Sequence, residues 1–402
     1  MMIQFFEIAL LVPGAIVFCI AVLLAIEIIG ALLPQKKQLD VNDEPGLIAV
    51  VIPAHNESTS ISATLTAIQS QIRPGDRVIV VADNCTDNTA SVVTSAGAQC
   101  WERNDPARRG KGYALQFALD RLKEAPPKTV VFIDADCVIA DGSLEKLAGA
   151  AEQESRPVQA LYLMKAPGGA GPRLHVSEFA WIFMNHVRMR GLDRFFGVSR
   201  FTGAGLALPW GVAEYLDLGS GEIVEDLALT LNLTEQRTPP LLLLDAVVTS
   251  EFPSTDKALA KQRARWEHGS QRLAAIRALP SLAKGIVSGN IGLCAIALDL
   301  LIPPIMNLLA IIALIVVASL LAAPFGVLGP LIVSVAAMFI VLISIMAAWV
   351  KFGREALPLS SLRGLAPFLA AKREVYNAEG RASAKSWTPT RSSDADDRTG
   401  ER

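Results

Sequence analysis

Apolar residues in this 402-residue chain are gathered at its two ends, and that segregation limits the folds open to it more than any other feature. Ile8 to Leu33 forms one run, and Ile291 to Ala323 with Val327 to Val350 forms a second block. Each exceeds the roughly 20 residues a helix needs to cross the hydrocarbon core of a bilayer. The chain is 51% hydrophobic yet 19% charged, so the middle, about 46 to 285, keeps an ordinary composition and enough length for a domain of its own.

The first run has no basic n-region and no small-x-small cleavage site, so it reads as a retained anchor over about 1 to 35 rather than a signal peptide. Lys36 and Lys37 follow it, and Lys351, Arg354, Arg363, Lys372 and Arg373 follow the second block. The positive-inside bias then puts the amino end outside and the middle domain in the cytoplasm. The expectation is a multi-pass inner-membrane protein with its middle domain cytoplasmic. Pro303-Pro304 interrupts the block over 286 to 352, which therefore holds two or three helices. Asp299 within it reads either as a buried, satisfied carboxyl or as a functional one, and Glu27 as a side chain that snorkels to the interface.

Cys19, Cys85, Cys100, Cys137 and Cys294 show no paired spacing, which argues against disulfides and structural zinc. A net charge of −2 offers nothing to a nucleic acid. His55, His175, His186 and His268 have no metal-ligand spacing. From 353 onward an interfacial segment leads into a polar, Ser-rich tail, Ala382 to Arg402, expected to be disordered.

In the middle domain the apolar period alternates. Leu47 to Ala54, Arg77 to Asp83, Gln99 to Arg103 and Thr129 to Asp134 read as strands, separated by helical stretches from Thr59 to Gln71, from about Asn88, and from Gly110 to Lys123. Such alternation implies an α/β fold with a mostly parallel, Rossmann-like sheet and a ligand crevice beyond the carboxyl ends of its strands. Pro53-Ala54-His55-Asn56-Glu57, Asp83-Asn84 and Asp134-Ala135-Asp136 all fall at such ends. A dehydrogenase would carry GxGxxG after the first strand and a nucleotidyltransferase a Gly-rich basic loop; PAHNES stands there instead.

Asp134 and Asp136 at i and i+2 suit a hard divalent cation that keeps waters and shares substrate phosphates, although alone such a pair is more often a surface feature. Arg108-Arg109-Gly110-Lys111-Gly112 opens a helix and suits a diphosphate, or is a solvated basic turn. Standing alone, Glu225-Asp226 would be an acidic pair that favours a helix N-terminus. Lys257 to Leu279 carries apolar residues at helical spacing among many cations, and Leu174 to Phe196, with Trp181, Phe183, His186, Arg188, Arg190 and Arg194, is aromatic and amphipathic. Both suit the headgroup plane, and for the second a core helix fits the pattern equally well.

In this order, PAHNES, DNCTD, RGKGYAL, DADC, VEDL and QRARW resemble the membrane-anchored family 2 inverting glycosyltransferases, the branch that holds cellulose, chitin and hyaluronan synthases and ceramide glucosyltransferase. Within it the first four read most like bacterial exopolysaccharide-cluster enzymes. The resemblance covers roughly 47 to 280 and implies a GT-A-type domain that uses a nucleotide sugar. By that resemblance Asp83 contacts the base of a uridine diphosphate donor, with Pro53, His55 and Glu57 lining the same pocket. Lys111 approaches the phosphates, Asp134 lies against the nucleotide or its metal, and Asp136 ligates Mg²⁺ or Mn²⁺. Asp226 matches the general base, although Val224 stands where many polymer synthases have Thr. Phe201-Thr202-Gly203-Ala204-Gly205 resembles the acceptor-side strand. Gln262, Arg263, Arg265 and Trp266 match the closing motif, with Arg265 near the diphosphate and Trp266 under the acceptor sugar.

The implied reaction is transfer of one hexosyl unit to a lipid-linked saccharide in exopolysaccharide synthesis, with a separate exporter, because three or four crossings are few for a polysaccharide path. A processive synthase acting on a polysaccharide acceptor is the alternative. An inactive binding partner would be expected to have lost Asp136, Asp226 or Trp266, and a transporter would need polar residues along its membrane runs.

Overall fold

The computed structural model describes residues 2–35, 44–219, 224–253 and 255–377. Lys36, Lys37 and the Ala382 to Arg402 tail lie outside the described residues.

Eight strands make one mixed sheet: β1 (Ile48–Ala54), β2 (Arg77–Asp83), β3 (Gln99–Arg103), β4 (Thr129–Phe132), β5 (Val138–Ile139), β6 (Val158–Lys165), β7 (Leu206–Pro209) and β8 (Leu241–Glu251). Their order is β3-β2-β1-β4-β7-β6-β8-β5. β1, β2, β3 and β4 are parallel neighbours, β7 runs antiparallel to both β4 and β6, β8 is parallel to β6, and β5 is antiparallel to β8. Six strands thus share one direction and two oppose it, as the alternating pattern implied. β1 throughout, and β4 after Thr129, are apolar because helices cover both faces. Val50, Ile52 and Val131 pack with Ile61, Leu65 and Leu147 on one side. Ala49, Val51, Val130 and Phe132 pack with Leu115 and Leu119 on the other.

Among the described residues, three helices are long and apolar enough to cross a membrane: Phe6–Leu32, Ile305–Phe325 and Gly329–Gly353. They pack together through Ala21, Leu24 and Ile28 against Ile312, Ala337 and Val341. The second block is interrupted at Pro303-Pro304. Helix Ile291–Leu300 is only 10 residues long, and its Leu293, Ile296 and Leu300 pack with Ala228 and Leu231 of helix Glu225–Glu235. It packs on the domain, and two candidate spans follow it.

The stretch read as an interfacial helix forms Pro172–Ile182, a π-helical turn Phe183–Arg188, and Met189–Phe196. Its apolar face is given to protein: Val176, Phe179, Phe183 and Val187 join the membrane-helix cluster. The contact is close enough that a Cβ on Gly191 would overlap the Glu27 carbonyl. Glu27 therefore does not snorkel. It is buried, and its Oε2 accepts from Arg188 Nε at 2.7 Å. Arg188 Nη2 also donates to Asp299 Oδ1 at 2.6 Å, and Arg200 Nε lies 3.2 Å from Asp299 Oδ2. Asp299 is a buried carboxyl with two ionic partners, but it is not fully satisfied: its Oδ2 and Arg200 Nε face each other as an ion pair without hydrogen-bond geometry. Two acids and two arginines thus form one buried polar cluster where the first candidate span meets the domain.

Candidate active site

The carboxyl ends of β1 and β2 present two loops bound to each other. Asn56 and Asn84 adopt left-handed backbone, φ 56° and 52°, which asparagine tolerates better than most residues. Asn56 Oδ1 accepts from the Thr86 amide at 2.8 Å, and the Glu57 amide donates to Thr89 Oγ1 at 2.9 Å. The Glu57 carboxylate accepts from Ser60 Oγ. His55 Nδ1 lies 2.7 Å from the Asp83 carbonyl, so PAHNE and DNCTD form one wall. Pro53 is paired with Val81 in the sheet. The Asp83 carboxylate is buried and held by Arg103 Nη1 at 2.6 Å and Asn84 Nδ2 at 2.9 Å. Arg103, which is absent from the sequence expectations, ends β3 and sits over the Tyr113 ring.

A few residues along the sheet edge lies a tight convergence. Lys111, the first residue of helix Lys111–Leu122, places Nζ 2.5 Å from Asp134 Oδ1 and donates to the Gly203 carbonyl at 2.6 Å. Arg108 and Arg109 stay exposed. Gly203 has φ +100°, and a Cβ built on it would lie 3.2 Å from Asp226 Oδ2, 3.8 Å from Lys111 Nζ and 3.9 Å from Asp134 Oδ2. Any side chain here would enter the space those three groups share. Gly205 is as constrained, since its Cβ would meet Ala160 at 2.8 Å and Val248 at 2.9 Å. The Phe201 to Gly205 segment is a glycine turn leading into β7 rather than a strand.

Electrostatics follow from confinement. Burial works against the Lys111 cation, but the carboxylates of Asp134, Asp226 and Glu225 outweigh it and hold its pKa above the ordinary lysine value. Burial raises Asp134, helped by Asp136 and opposed by Lys111. Burial and the neighbouring Asp226 push Glu225 up to about 8. Burial also raises Asp226, against the pull of Lys111 and Arg265. A carboxylate so raised is a better proton acceptor than one in water.

Asp134, Asp136 and Cys137 bring ligand atoms within 4.8 Å of one another, the group of that kind found among the described residues. Cys137 is fully buried, with Sγ 3.6 Å from Asp136 Oδ1 and 3.7 Å from Tyr162 Oη, so it backs the carboxylates from the core instead of facing the crevice. What remains is two carboxylates at the edge of the crevice, a hard-oxygen set suited to Mg²⁺ or Mn²⁺ completed by phosphate and water.

QRARW lies on helix Asp256–Leu273, capped by Thr255 Oγ1. At about 100° per residue, Gln262, Arg265, Trp266 and Gly269 share one side, while Arg263, Glu267 and Gln271 take the other. The first side meets the domain. Arg265 acts on both Glu225 and Asp226. Trp266 packs on Trp181, ring centroids 5.1 Å apart, and Trp181 stands edge-on to Tyr162 at 5.3 Å. A Cβ on Gly269 would come within 2.7 Å of Val224 Cγ1, so the valine that departs from the polymer-synthase pattern fills a glycine notch. Arg263 turns away: it donates to Ser177 Oγ and lies 4.5 Å over the Phe368 ring. The sequence expectation grouped it with the acceptor residues, whereas its contacts are with helices Pro172–Ile182 and Leu365–Tyr376.

A family model described as glycosyltransferase-like family 2 matches residues 45–269, more than half of the chain. The chain belongs to glycosyltransferase-like family 2. Its curated relatives include a probable glycosyltransferase, YdaM, of Bacillus subtilis (strain 168), 24% identical over 242 residues covering 56% of this chain and 55% of the relative. Another is the probable glucomannan 4-beta-mannosyltransferase 4 of Oryza sativa subsp. japonica, 24% identical over 257 residues covering 56% and 44%. This family 2 chain therefore spans about half the length of the curated relatives it matches. The mannosyltransferase PcManGT from Pyrobaculum calidifontis, solved with GDP-Man and Mn²⁺, shares its fold with a TM-score of 0.52 at 21% identity, covering 87% of this chain and 98% of that one. The GT-A-type mixed sheet expected of a family 2 member is thus present, with apolar helices at both ends.

Proposed function

We propose that the chain is a membrane-bound, inverting, metal-dependent glycosyltransferase that moves a hexosyl unit from a nucleotide sugar, UDP-linked, to a hydroxyl of a lipid-linked saccharide in exopolysaccharide synthesis. The observation that carries this reading is the space at Gly203, ringed by Asp226, Lys111 and Asp134 beside the PAHNE and DNCTD wall. A base, a cation and a nucleotide-side carboxylate meet there around a point that no side chain occupies. Reactions of this kind need that arrangement.

In this reading the wall of Pro53, His55, Glu57 and Asp83 receives the nucleotide, and Lys111 and Arg265 face the diphosphate. Asp134 and Asp136 would hold Mg²⁺ or Mn²⁺, which when bound would neutralise charge on the leaving diphosphate. Asp226 takes the proton of the acceptor hydroxyl as that oxygen bonds to the anomeric carbon and the carbon–phosphate-oxygen bond breaks on the opposite face. Its raised pKa favours the task. Trp266, backed by Trp181, offers a ring to the apolar face of the acceptor sugar, with Gln262 beside it.

The organisation that fits is an anchor over about 1 to 35, a catalytic domain over about 46 to 285, a membrane block over 286 to 352 and a cytoplasmic segment beyond, with the domain on the cytoplasmic side of the inner membrane. Three candidate spans support transfer of a single sugar and a separate exporter. The test is to incubate the purified chain in lipid with a panel including UDP-hexoses and GDP-mannose, follow nucleoside diphosphate release, and size the product. A one-sugar shift on a lipid-linked acceptor is expected. A long polymer ladder would replace this reading with a processive synthase.

A further inference from the structure

The far side of helix Asp256–Leu273 is gripped by the last described helix, Leu365–Tyr376. Phe368 lies under Arg263, Lys372 Nζ meets Glu267 Oε1 at 2.5 Å, and His268 Nε2 lies 2.8 Å from the Val375 carbonyl. Tyr376 ends the grip. Its hydroxyl donates to Glu267 Oε2 at 2.9 Å and accepts from Gln271 Nε2 at 3.0 Å and from Asn307 Nδ2 at 2.5 Å. One donor and two acceptor positions are what a phenol has, so all are in use. Asn307 lies in the first turn of Ile305–Ala322, a helix within one of the candidate membrane spans. A single oxygen thus joins the QRARW helix, the carboxyl-terminal helix and the membrane helix.

None of Arg263, Glu267, His268 or Gln271 shares the side of Gln262, Arg265 and Trp266. The carboxyl-terminal helix therefore acts on the site-facing residues only by moving their helix as a body. We propose that Tyr376 is a positioning residue for the transfer reaction, fixing the height and rotation at which Arg265 and Trp266 meet the crevice by tying their helix to the membrane helix through Asn307. The inference rests on the proposed function, in which that helix serves the transfer site.

The test uses the full chain in nanodiscs made with the source membrane's lipid extract, which carries the native acceptor, and reads UDP release from UDP-hexoses and UDP binding with Mg²⁺. Tyr376→Phe keeps the ring packed on His268, centroids 5.1 Å apart, and removes only the hydroxyl. Asn307→Leu removes only the membrane-side tie. Both should lower maximal turnover by about tenfold or more, since a misplacement of about 1 Å is enough for such losses, while UDP affinity stays within about twofold. Glu267→Gln, which still accepts from the phenol, should lose less than Tyr376→Phe. Turnover unchanged in both tie variants, or UDP affinity falling in step with turnover, would overturn the inference. Trp266→Ala separates the two levels. If it leaves turnover unchanged, the reading of the helix itself fails; if it lowers turnover while Tyr376→Phe does not, only the positioning role fails.

Discussion

Arg188→Met should be among the most destabilising substitutions in the chain. Arg188 is the hub of the buried charge cluster: its side chain is 3% exposed and those of Glu27 and Asp299 are 6% and 0%. Methionine keeps much of the volume and removes the charge. Asp299 would retain Arg200 at 3.2 Å, whereas Glu27 would lose the 2.7 Å partner on which its burial depends. The loss is therefore that of one uncompensated buried carboxylate, about 3–5 kcal/mol. Adding Glu27→Gln removes the stranded charge and should restore most of it, because replacing both members of a buried pair costs far less than breaking one. Unfolding in mixed detergent micelles, followed by tryptophan fluorescence for the wild type, both single variants and the double variant, measures the coupling. If Arg188→Met falls within about 0.5 kcal/mol of wild type, or the double variant is worse than the single, the cluster does not hold the anchor to the domain in the way its geometry indicates.

Three further outcomes are expected. Asp136→Ala, like chelation of the wild type, should abolish transfer and weaken diphosphate binding more than nucleoside binding; full activity after exhaustive metal removal would contradict it. Glu225 has a folded value of about 8 against an ordinary 4.5, so between these the folded chain holds a proton that the unfolded chain has released, and stability should fall as pH rises through that window. Glu225→Gln should flatten part of that slope in thermal unfolding without donor, and an unchanged slope would refute the assignment. Gly269→Ala should push Val224, and with it Asp226, lowering turnover by about tenfold with donor affinity retained, and Val224→Ala in the same chain should restore it. Equal rates for all three would show that the notch does not matter.

β1, β2 and β3 were legible to within a residue because each is a short run bounded by turn residues, and β1 and β2 are also strongly apolar. β6 and β8 were not anticipated: their pairing partners lie far along the chain, and local periodicity says nothing about who pairs with whom. The three candidate spans were equally plain from length, but the fate of Ile291–Leu300 was not, since a buried helix and half of a broken span have the same composition. Asp134, Lys111 and Asp226, singled out by the family resemblance, stand at element ends and converge around Gly203. Arg103 carried no motif, and its role on Asp83 appears only when β3 lies beside β2. Arg263 and Arg265 look equivalent in QRARW, yet two helical residues apart they face nearly opposite ways, a signal the spacing already contained. Glu27, Arg188 and Asp299 are separated by more than a hundred residues, and no periodicity links them.

The reading of the crevice as a transfer site stands most directly on Asp226. Donor binding and transfer should be measured side by side for the wild type and Asp226→Asn in lipid, with the nucleotide sugar that the wild type turns over. The account predicts that Asp226→Asn binds this donor as tightly as the wild type while transfer falls by about 10²- to 10⁴-fold, the usual worth of a general base. Near-normal transfer by Asp226→Asn would contradict it.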